Sequence, residues 1–290
     1  MKNSFFSISI LGGVLFVNTA LAVGWPNFDN ALVRGLSNSF EDSLKQNPPP
    51  IPIDLGLARK QHAAYIEMIS KHVPNVVEIP ADDAHPDCNF IEDTAIIVGD
   101  TAVISIMGAR ERRGEEIPVA KSLKKLGLKN IIPLRSPATM DGGDILFTGN
   151  HLFVGLSSRT NAEALKQLEQ IFSDRIRVFG VPVTEGLHLK SVISFFDSST
   201  LIVADSAAGH SIRDRINEVV PGAYEIVQVP DQVSANVLRM GSTVIVQKGF
   251  ERSENILKEL CDRKGVSLKT LDMSELIKAD GALTCGSLLF

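Results

Sequence analysis

Short apolar runs alternate along this chain with longer amphipathic stretches, and the alternation repeats in kind from one end to the other. The short runs are typical of strands and the longer stretches of helices. Strands are predicted at 31–33, 76–79, 95–98, 101–106, 131–134, 145–147, 152–155, 177–183, 190–194, 201–204, 225–229, 235–240, 243–247, 267–271 and 284–289. Helices are predicted at 58–70, 118–126, 162–172 (capped by Asn161), 211–220 and 253–263.

The order strand, strand, helix, strand recurs about five times, at a period near 50 residues. A unit of this size cannot bury its own apolar face, so copies of it stack into an array or a propeller. The first unit is one strand short, and the strand predicted at 284–289 is left over; a ring closed by the two chain ends accounts for both. We therefore predict an α/β fold, a five-bladed pseudo-symmetric propeller in one domain (23–290), with its functional site on the axis.

Residues 1–22 differ from the rest of the chain. Lys2 precedes an uncharged, mostly apolar stretch at 9–17, and Ala20-Leu21-Ala22 has the small-x-small pattern of a cleavage site. These features predict a signal peptide cleaved after Ala22, with the protein secreted or periplasmic and not inserted in the membrane after cleavage. The alternative is a disordered or anchoring extension on a cytoplasmic protein.

Composition limits the remaining function classes. The chain is 44% hydrophobic and 22% charged, with a net charge of -5, and no basic run extends beyond Arg110-Glu111-Arg112-Arg113. Nothing therefore indicates a nucleic-acid partner. Three cysteines do not make a disulfide framework. Cys285 is a candidate nucleophile, while Cys88 and Cys261 are interpreted as small buried hydrophobes.

Four clusters combine reactive residue types with turn signals: Asp87 with Glu92-Asp93, Asp141-Gly142-Gly143-Asp144, His188 between two leucines, and Cys285 followed by Gly286-Ser287. The three carboxylates of the first cluster border an apolar run and have no Lys or Arg nearby in sequence, so a cationic ligand is a reasonable partner. Taken separately, the carboxylate cluster is equally typical of a solvated loop, Asp-Gly-Gly-Asp is also a plain turn, a histidine between two leucines is by default a core histidine, and a cysteine is often a small buried hydrophobe. Together they supply a nucleophile, a base, a residue to orient it and a cage for a cation.

In this order the clusters resemble those of the dimethylarginine dimethylaminohydrolases, in the guanidino-modifying superfamily of arginine deiminases and amidinotransferases. The matching stretches are Pro80-Ala81-Asp82 with Pro86-Asp87-Cys88 and Glu92-Asp93; Asp141-Gly142-Gly143-Asp144-Ile145-Leu146-Phe147-Thr148-Gly149; Phe153-Val154-Gly155-Leu156-Ser157 with Arg159-Thr160-Asn161; Gly186-Leu187-His188-Leu189-Lys190-Ser191; and Asp280-Gly281-Ala282-Leu283-Thr284-Cys285. The resemblance extends from about residue 28 to the end of the chain. It implies the pentein ring of five blades, in agreement with the repeat count.

The resemblance also implies the chemistry. Cys285 would attack the guanidinium carbon of a methylated arginine and form a covalent thiouronium. His188, oriented by Asp141, would protonate the departing amine and then activate water, releasing citrulline. No cofactor and no metal site are implied.

Seven further residues are implied to hold a small guanidino substrate. The guanidinium would be held by Asp87 and Asp93, with Glu92 beside them, and the substrate carboxylate by Arg112 and Arg159. Leu44 and Ala279 would contact substrate through their backbone. Ala279 stands where the family commonly has Val, and Gly286 where some mammalian members have a second Cys.

Three other functions are compatible with the sequence. A deiminase acting on free arginine would need the same residue types. An inactive guanidino-binding protein would need no nucleophile, and a purely structural propeller leaves the carboxylate cluster unexplained. The sequence does not determine the oligomeric state.

Overall fold

The computed structural model describes residues 26–290, so the predicted signal segment and its cleavage site lie outside the described residues. The strands are β1 (Asn30–Arg34), β2 (Asn75–Ile79), β3 (Ala95–Val98), β4 (Thr101–Ile104), β5 (Asn130–Pro133), β6 (Ile145–Phe147), β7 (His151–Leu156), β8 (Arg177–Pro182), β9 (Ile193–Asp197), β10 (Thr200–Ala204), β11 (Glu225–Val229), β12 (Leu238–Met240), β13 (Thr243–Gln247), β14 (Ser267–Leu271) and β15 (Leu288–Leu289). The helices are α1 (Leu55–Ser70), α2 (Glu116–Lys125), α3 (Ala162–Phe172), α4 (Ala207–Val219), α5 (Glu251–Lys264) and α6 (Ser274–Ile277).

The described strands form five three-stranded sheets, in the orders β15-β1-β2, β3-β4-β5, β6-β7-β8, β9-β10-β11 and β12-β13-β14. In each sheet the central strand is antiparallel to the first strand and parallel to the last. A parallel neighbour requires a crossover connection, and a helix supplies it in every sheet. The predicted repeat of strand, strand, helix, strand is therefore confirmed.

The two ends of the described chain close the first sheet. β15 pairs antiparallel with β1, with Ala31 opposite Leu289, and the backbones of Asn30 and Phe290 exchange hydrogen bonds of 2.7 and 3.0 Å. The C-terminal strand thus completes the unit that the sequence left one strand short. Closure of this kind removes an unpaired sheet edge.

Each long helix covers its own sheet with one apolar face, as α3 illustrates. Asn161 caps this helix by accepting a hydrogen bond from the Ala164 N–H at 3.0 Å, and Ala164, Leu168 and Phe172 are buried at a spacing of four residues. Leu168 and Phe172 pack in one apolar cluster with Leu152 of β7. The helix forms where the sequence predicts it because cap and periodicity agree.

The predictions failed where the chain reaches the axis of the ring. Residues 190–194 were expected as a strand, but Leu189–Ser191 form a 3₁₀ turn and β9 begins at Ile193. Of the strand expected at 284–289, Thr284–Gly286 form a second such turn. A third, at Gln232–Ala235, shortens the strand predicted at 235–240. The reason lies in long-range hydrogen bonds: the Leu189 N–H donates to Asp144 Oδ1 and the Thr284 N–H to Asn236 Oδ1, instead of to a neighbouring strand.

Two regions occupy the axis. The first strands of the five sheets line a mostly apolar channel on one side, with wall residues that include Ile96, Phe147, Ser194, Leu238 and Leu288. On the other side, five short turns precede those strands and lie against one another: Ile91–Thr94, Gly142–Asp144, Leu189–Ser191, Gln232–Ala235 and Thr284–Gly286. Within residues 26–290, no helix combines the length and apolar composition needed to cross a membrane.

Candidate active site

A pocket lies at the axial turns, and most of the residues predicted to form the site line it. The lining consists of Leu44, Asp87, Phe90, Asp93, Arg112, Arg159, Leu187, His188, Ala279, Asp280 and Cys285. Of the predicted set, Asp141 lies directly behind His188, and Glu92 is turned away from the pocket. The fold therefore brings together residues up to about 240 positions apart in sequence.

Asp141 holds His188 by one ring nitrogen. Its Oδ2 accepts a hydrogen bond from His188 Nε2 at 3.0 Å, and its Oδ1 accepts one from the Gly108 N–H at 2.8 Å. Arg159 Nη1 also lies 3.3 Å from Oδ2. Asp141 is completely buried, so its orientation is fixed. With Nε2 bound to a carboxylate, Nδ1 is the ring nitrogen left for proton exchange.

The surroundings of His188 favour its protonated form. Burial by itself would lower its pKa, but the carboxylates of Asp93, Asp141 and Asp144 outweigh that effect and raise the pKa to about 9. The imidazole is therefore an acid at neutral pH. This state suits a group that must give a proton to a departing nitrogen.

Gly143 is required by close packing at this point. A Cβ there would lie 2.6 Å from His188 Nδ1 and 3.0 Å from Asp93 Oδ1. The Gly143 N–H donates to the same Asp93 oxygen at 2.8 Å. Backbone, imidazole and carboxylate thus meet in a space that no other residue type leaves open.

Arg112 fixes Asp93 from the other side. Arg112 Nη1 donates to Asp93 Oδ2 at 2.6 Å, while Nε and Nη2 donate to the two oxygens of Glu115 at 3.0 and 2.8 Å. Nη2 also donates to the Phe90 carbonyl at 3.0 Å. Burial alone would raise the pKa of Asp93, but His188 and Arg112 outweigh it and lower the pKa to about 2. Most of the Arg112 donors are thus occupied by protein groups, and its predicted contact with a substrate carboxylate stays a prediction.

Asp87 differs from its neighbours because it has no ion-pair partner among the described residues. It is 5% exposed, and its Oδ2 accepts a hydrogen bond from the Leu44 N–H at 3.2 Å. Burial raises its pKa, although the charge of Arg112 opposes the shift. A buried carboxylate without a cation is costly, and Asp87 lines the pocket. Its predicted contact with a guanidinium stays a prediction.

Glu92 occupies the opposite side of the axis. Its Oε1 forms an ion pair with Lys190 Nζ, and its Oε2 accepts a hydrogen bond from Thr284 Oγ1 at 2.9 Å. Glu92, Lys190 and Thr284 line the axial channel and not the pocket. Sequence distance was therefore misleading: the cations that pair with Asp93 and Glu92 come from 19 and 98 residues away.

Cys285 lies on the turn Thr284–Gly286 and lines the pocket. Its Sγ accepts a hydrogen bond from the Ala282 N–H at 3.4 Å. Burial, together with the charges of Glu92 and Asp93, raises the pKa of the thiol well above its usual range. These surroundings favour the neutral thiol in the free protein, and Cys285 lines the same pocket as His188.

Tyr65 packs under the same turn. Its hydroxyl donates to the Leu283 carbonyl at 2.7 Å and lies 2.8 Å from Ser287 Oγ. A Cβ on Gly286 would lie 2.7 Å from the Tyr65 ring. The glycine that follows Cys285 is thus explained by the Tyr65 ring that packs against it.

One group of described residues could hold a metal ion. The ligand atoms of Asp93, Asp141 and His188 lie within 4.8 Å of one another. Each of these carboxylates already accepts hydrogen bonds from protein donors. The expectation that the site contains no metal stays a prediction.

Comparison with known proteins identifies the family. A model of the arginine deiminase family matches residues 68–233. The dimethylarginine dimethylaminohydrolase of Streptomyces coelicolor is 32% identical over 258 residues, which cover 88% of this chain and 94% of the relative. The chain belongs to the dimethylarginine dimethylaminohydrolase family. The Pseudomonas aeruginosa member is 28% identical over 267 residues, or 91% of this chain and 100% of the relative.

Solved structures agree with this membership. The Pseudomonas aeruginosa dimethylarginine dimethylaminohydrolase in complex with citrulline superimposes with a TM-score of 0.80 at 27% identity, covering 91% of this chain and 100% of that one. The N-terminal domain of a cyanobacterial arginine dihydrolase gives a TM-score of 0.75 at 19% identity, covering 90% and 97%, and shows the fold alone. The predicted five-bladed α/β ring is confirmed. As a member of this family the chain is a hydrolase of guanidino carbon–nitrogen bonds.

Several residues that build the site were not predicted from the sequence. Lys190 and Thr284 lie inside the motifs around His188 and Cys285, so their position was a usable signal. Glu115 and Asn236 lay in no motif. Arg112, the partner of Glu115, is only three residues away in sequence. The partners of Asn236 are Lys190 and Thr284, which are 46 and 48 residues away and are brought to it only by the folded chain.

Proposed function

We propose that the protein hydrolyses asymmetric dimethylarginine and monomethylarginine to citrulline, releasing dimethylamine or methylamine. One observation carries the proposal: Asp87, a buried carboxylate without an ion-pair partner in the described chain, lines the same pocket as Cys285 and the Asp141-bound His188. A guanidinium ion supplies the missing positive charge and presents its carbon to the thiol.

Asp87 and Asp93 contribute differently to binding of the guanidinium. Asp87 is free to accept hydrogen bonds from guanidinium N–H groups, and Asp93 keeps its negative charge because Arg112 and His188 lie beside it. Arg159 also lines the pocket, and its guanidinium is more available to a substrate carboxylate than that of Arg112. Its side chain is 18% exposed, and its one ion pair within the described chain, to Asp141, is long at 3.3 Å.

The reaction proceeds through a covalent intermediate. The thiolate of Cys285 attacks the guanidinium carbon, and the bond from that carbon to the methylated nitrogen breaks. His188 gives its proton to that nitrogen, and the amine leaves. The neutral imidazole then takes a proton from water, and the resulting hydroxide adds to the thiouronium carbon. The carbon–sulfur bond breaks, the proton of the added oxygen passes to the departing sulfur, and citrulline and the Cys285 thiol remain.

Substrate binding prepares the nucleophile. Burial and the neighbouring carboxylates raise the pKa of the Cys285 thiol in the free protein, so the thiolate is scarce. A bound guanidinium brings a positive charge next to the sulfur and favours the thiolate, with the thiol proton lost to solvent because His188 is already protonated. Chemistry is thereby linked to the presence of a cationic substrate.

Kinetics on four compounds test the proposal, with citrulline as the readout: asymmetric dimethylarginine, monomethylarginine, symmetric dimethylarginine and arginine. A site suited to the asymmetric substrate places carboxylates at the nitrogens that retain hydrogens and leaves the methyl groups in apolar space. Arginine would put unpaired N–H donors there, at a cost of about 1–3 kcal/mol each. We expect arginine to have a kcat/KM lower by roughly tenfold to a few hundredfold, and the symmetric isomer to be poor.

A deiminase acting on free arginine is the second candidate. It is favoured by the arginine deiminase model that matches residues 68–233. Turnover of arginine as fast as that of asymmetric dimethylarginine would establish it in place of the first. Binding of both compounds without citrulline from either would instead indicate an inactive guanidino-binding protein.

We also propose that the chain is exported. The support is the pattern of Lys2, the apolar stretch at 9–17 and Ala20-Leu21-Ala22. Mass spectrometry of the protein from its native host should find Val23 as the first residue. An intact N-terminus in the soluble cytosolic fraction would contradict export.

A further inference from the structure

Asn236 lies on the axis, immediately after the turn Gln232–Ala235, and is 2% exposed. It belongs to the blade built from β12, β13 and β14. Within the described chain, none of the residues lining the catalytic pocket comes from that blade. Asn236 therefore reaches the site only through other residues.

The amide of Asn236 joins two of the axial turns. Its Nδ2 donates to the Lys190 carbonyl and to Thr284 Oγ1, both at 3.0 Å, and its Oδ1 accepts from the Thr284 N–H at 3.0 Å. Thr284 precedes Cys285 directly, and Lys190 is two residues after His188. One side chain thus links the turn of the nucleophile to the turn beside the acid/base histidine.

The link continues into a closed circuit. Thr284 Oγ1 accepts from Asn236 and donates to Glu92 Oε2 at 2.9 Å, and the other Glu92 oxygen pairs with the Lys190 ammonium group. The circuit returns to Asn236 through the Lys190 carbonyl. Only a side chain of this length with one acceptor and two donors satisfies all three Asn236 bonds, because aspartate lacks the donors and glutamine is longer.

We propose that Asn236 is a positioning residue that fixes the Cys285 turn relative to the His188 turn, so that thiol and imidazole act on the same guanidinium carbon. The inference rests on the proposed function for its choice of assay. Since Asn236 does not line the pocket, its loss should affect the chemical step and leave substrate binding nearly intact.

The test compares Asn236→Ala and Asn236→Asp with wild type, and uses Ser234→Ala as a matched control. Ser234 is buried two residues away, and its hydroxyl has no hydrogen-bond partner among residues 26–290, so its removal should change little. For both Asn236 variants we expect kcat per titrated active site to fall about tenfold to a hundredfold, because displacements of about 1 Å can cost that much. KM should change by less than about threefold, as expected when only the transition state is affected.

Aspartate keeps the size and the acceptor but removes the two donors, so it should be nearly as damaging as alanine. Thr284→Val removes the hydroxyl of the same circuit, and its effect on kcat should be strongly non-additive with Asn236→Ala. If both Asn236 variants fail to fold, a lowered kcat in Thr284→Val supports the positioning role and a wild-type kcat contradicts it.

A purely structural role would give a different result. The titrated active fraction and the melting temperature would fall while kcat per active site stayed at the wild-type value, and this would overturn the proposal. Wild-type kcat in Thr284→Val, or additive effects in the double variant, would also overturn it.

A second readout does not depend on turnover. Alkylation of Cys285 by iodoacetamide, followed by mass spectrometry across pH, reports the environment of the thiol. We expect its pH midpoint to shift in the Asn236 variants and not in Ser234→Ala, and an unchanged midpoint would contradict the positioning role. If wild type makes no citrulline from any guanidino compound, the proposed function fails while this measurement still judges Asn236.

Discussion

Replacing Asp141 by asparagine changes a single group at the centre of the site. The side chain keeps its shape but loses its charge and one acceptor. Both Asp141 oxygens accept hydrogen bonds: Oδ1 from the Gly108 N–H at 2.8 Å, and Oδ2 from His188 Nε2 at 3.0 Å and Arg159 Nη1 at 3.3 Å. In either orientation the new NH₂ group must face a donor.

The magnitude follows from these contacts. A hydrogen bond to a charged partner is worth about 1.5–3 kcal/mol, or roughly tenfold to a hundredfold. The NH₂ group introduced at position 141 faces an N–H donor, and this repulsion also turns the imidazole away from its working orientation. General acid–base catalysis as a whole contributes about a hundredfold to ten-thousandfold to the rate. We therefore expect Asp141→Asn to lower kcat by about a hundredfold to ten-thousandfold at neutral pH, with a smaller effect on KM.

The pH dependence of activity tests the role of Asp141 independently of the size of the kcat change. In wild type the alkaline limb of activity should reflect the loss of the His188 proton, whose pKa is raised to about 9. Removing one of the carboxylates that raise it should move that limb to lower pH. His188 binds its proton more tightly in the folded protein than at its ordinary value of 6.5. Its contribution to stability is therefore complete below about pH 6.5 and is lost as the pH rises through 9.

The assay is citrulline release by wild type and variant between pH 6 and 10, with urea unfolding at both ends of the range. Asp205→Asn is the matched control, because Asp205 Oδ1 pairs with His210 Nε2 at 2.9 Å on the surface. The stability gap between wild type and Asp141→Asn should be largest near pH 6.5 and should narrow above pH 9. A variant with kcat within threefold of wild type and an unmoved alkaline limb would refute the reasoning.

Three further substitutions test other parts of the site. Cys285→Ser should abolish citrulline release while calorimetry still detects substrate binding, and substantial activity in this variant would exclude the covalent route. Cys88→Ser and Cys261→Ser alter buried thiols outside the pocket and should retain turnover. Gly143→Ala should reduce kcat at least tenfold because its methyl group would lie 2.6 Å from the His188 ring, and wild-type kinetics would show that the ring moves aside without cost. Arg112→Met should lower the free energy of unfolding by about 3–5 kcal/mol, since Asp93 and Glu115 would be left buried without their cation, and urea unfolding with an unchanged midpoint would contradict this.

The site was predictable to the extent that its residues lie in local motifs. Asp87, Asp93, His188 and Cys285 were all named from short sequence patterns, and all four line one pocket. Glu92 belongs to the same motif as Asp93, yet it faces the opposite side of the axis. Adjacent residues in a turn point in different directions, and a motif does not specify which of them points at the substrate.

Secondary structure was likewise predictable where it depends on local sequence and not where it depends on distant residues. The blades were predictable because a strand or a long helix is specified by its own alternation of apolar residues and by its caps, as in α3 with Asn161. The axial turns were not, because their backbone groups bond to side chains from other blades. The Leu189 N–H bonds to Asp144 across 45 residues, and the Thr284 N–H to Asn236 across 48.

By itself, the sequence determined the order of the blades, the closure of the ring by its two ends and the set of reactive residues, since each depends on local pattern or on chain order. Only the tertiary structure decided which charges are paired. Arg112 pairs with Asp93 and Lys190 pairs with Glu92, whereas Asp87 is buried without an ion-pair partner among the described residues. The physical reason is that the energy of a buried charge depends on its neighbours in space, and in a ring those neighbours come from every blade.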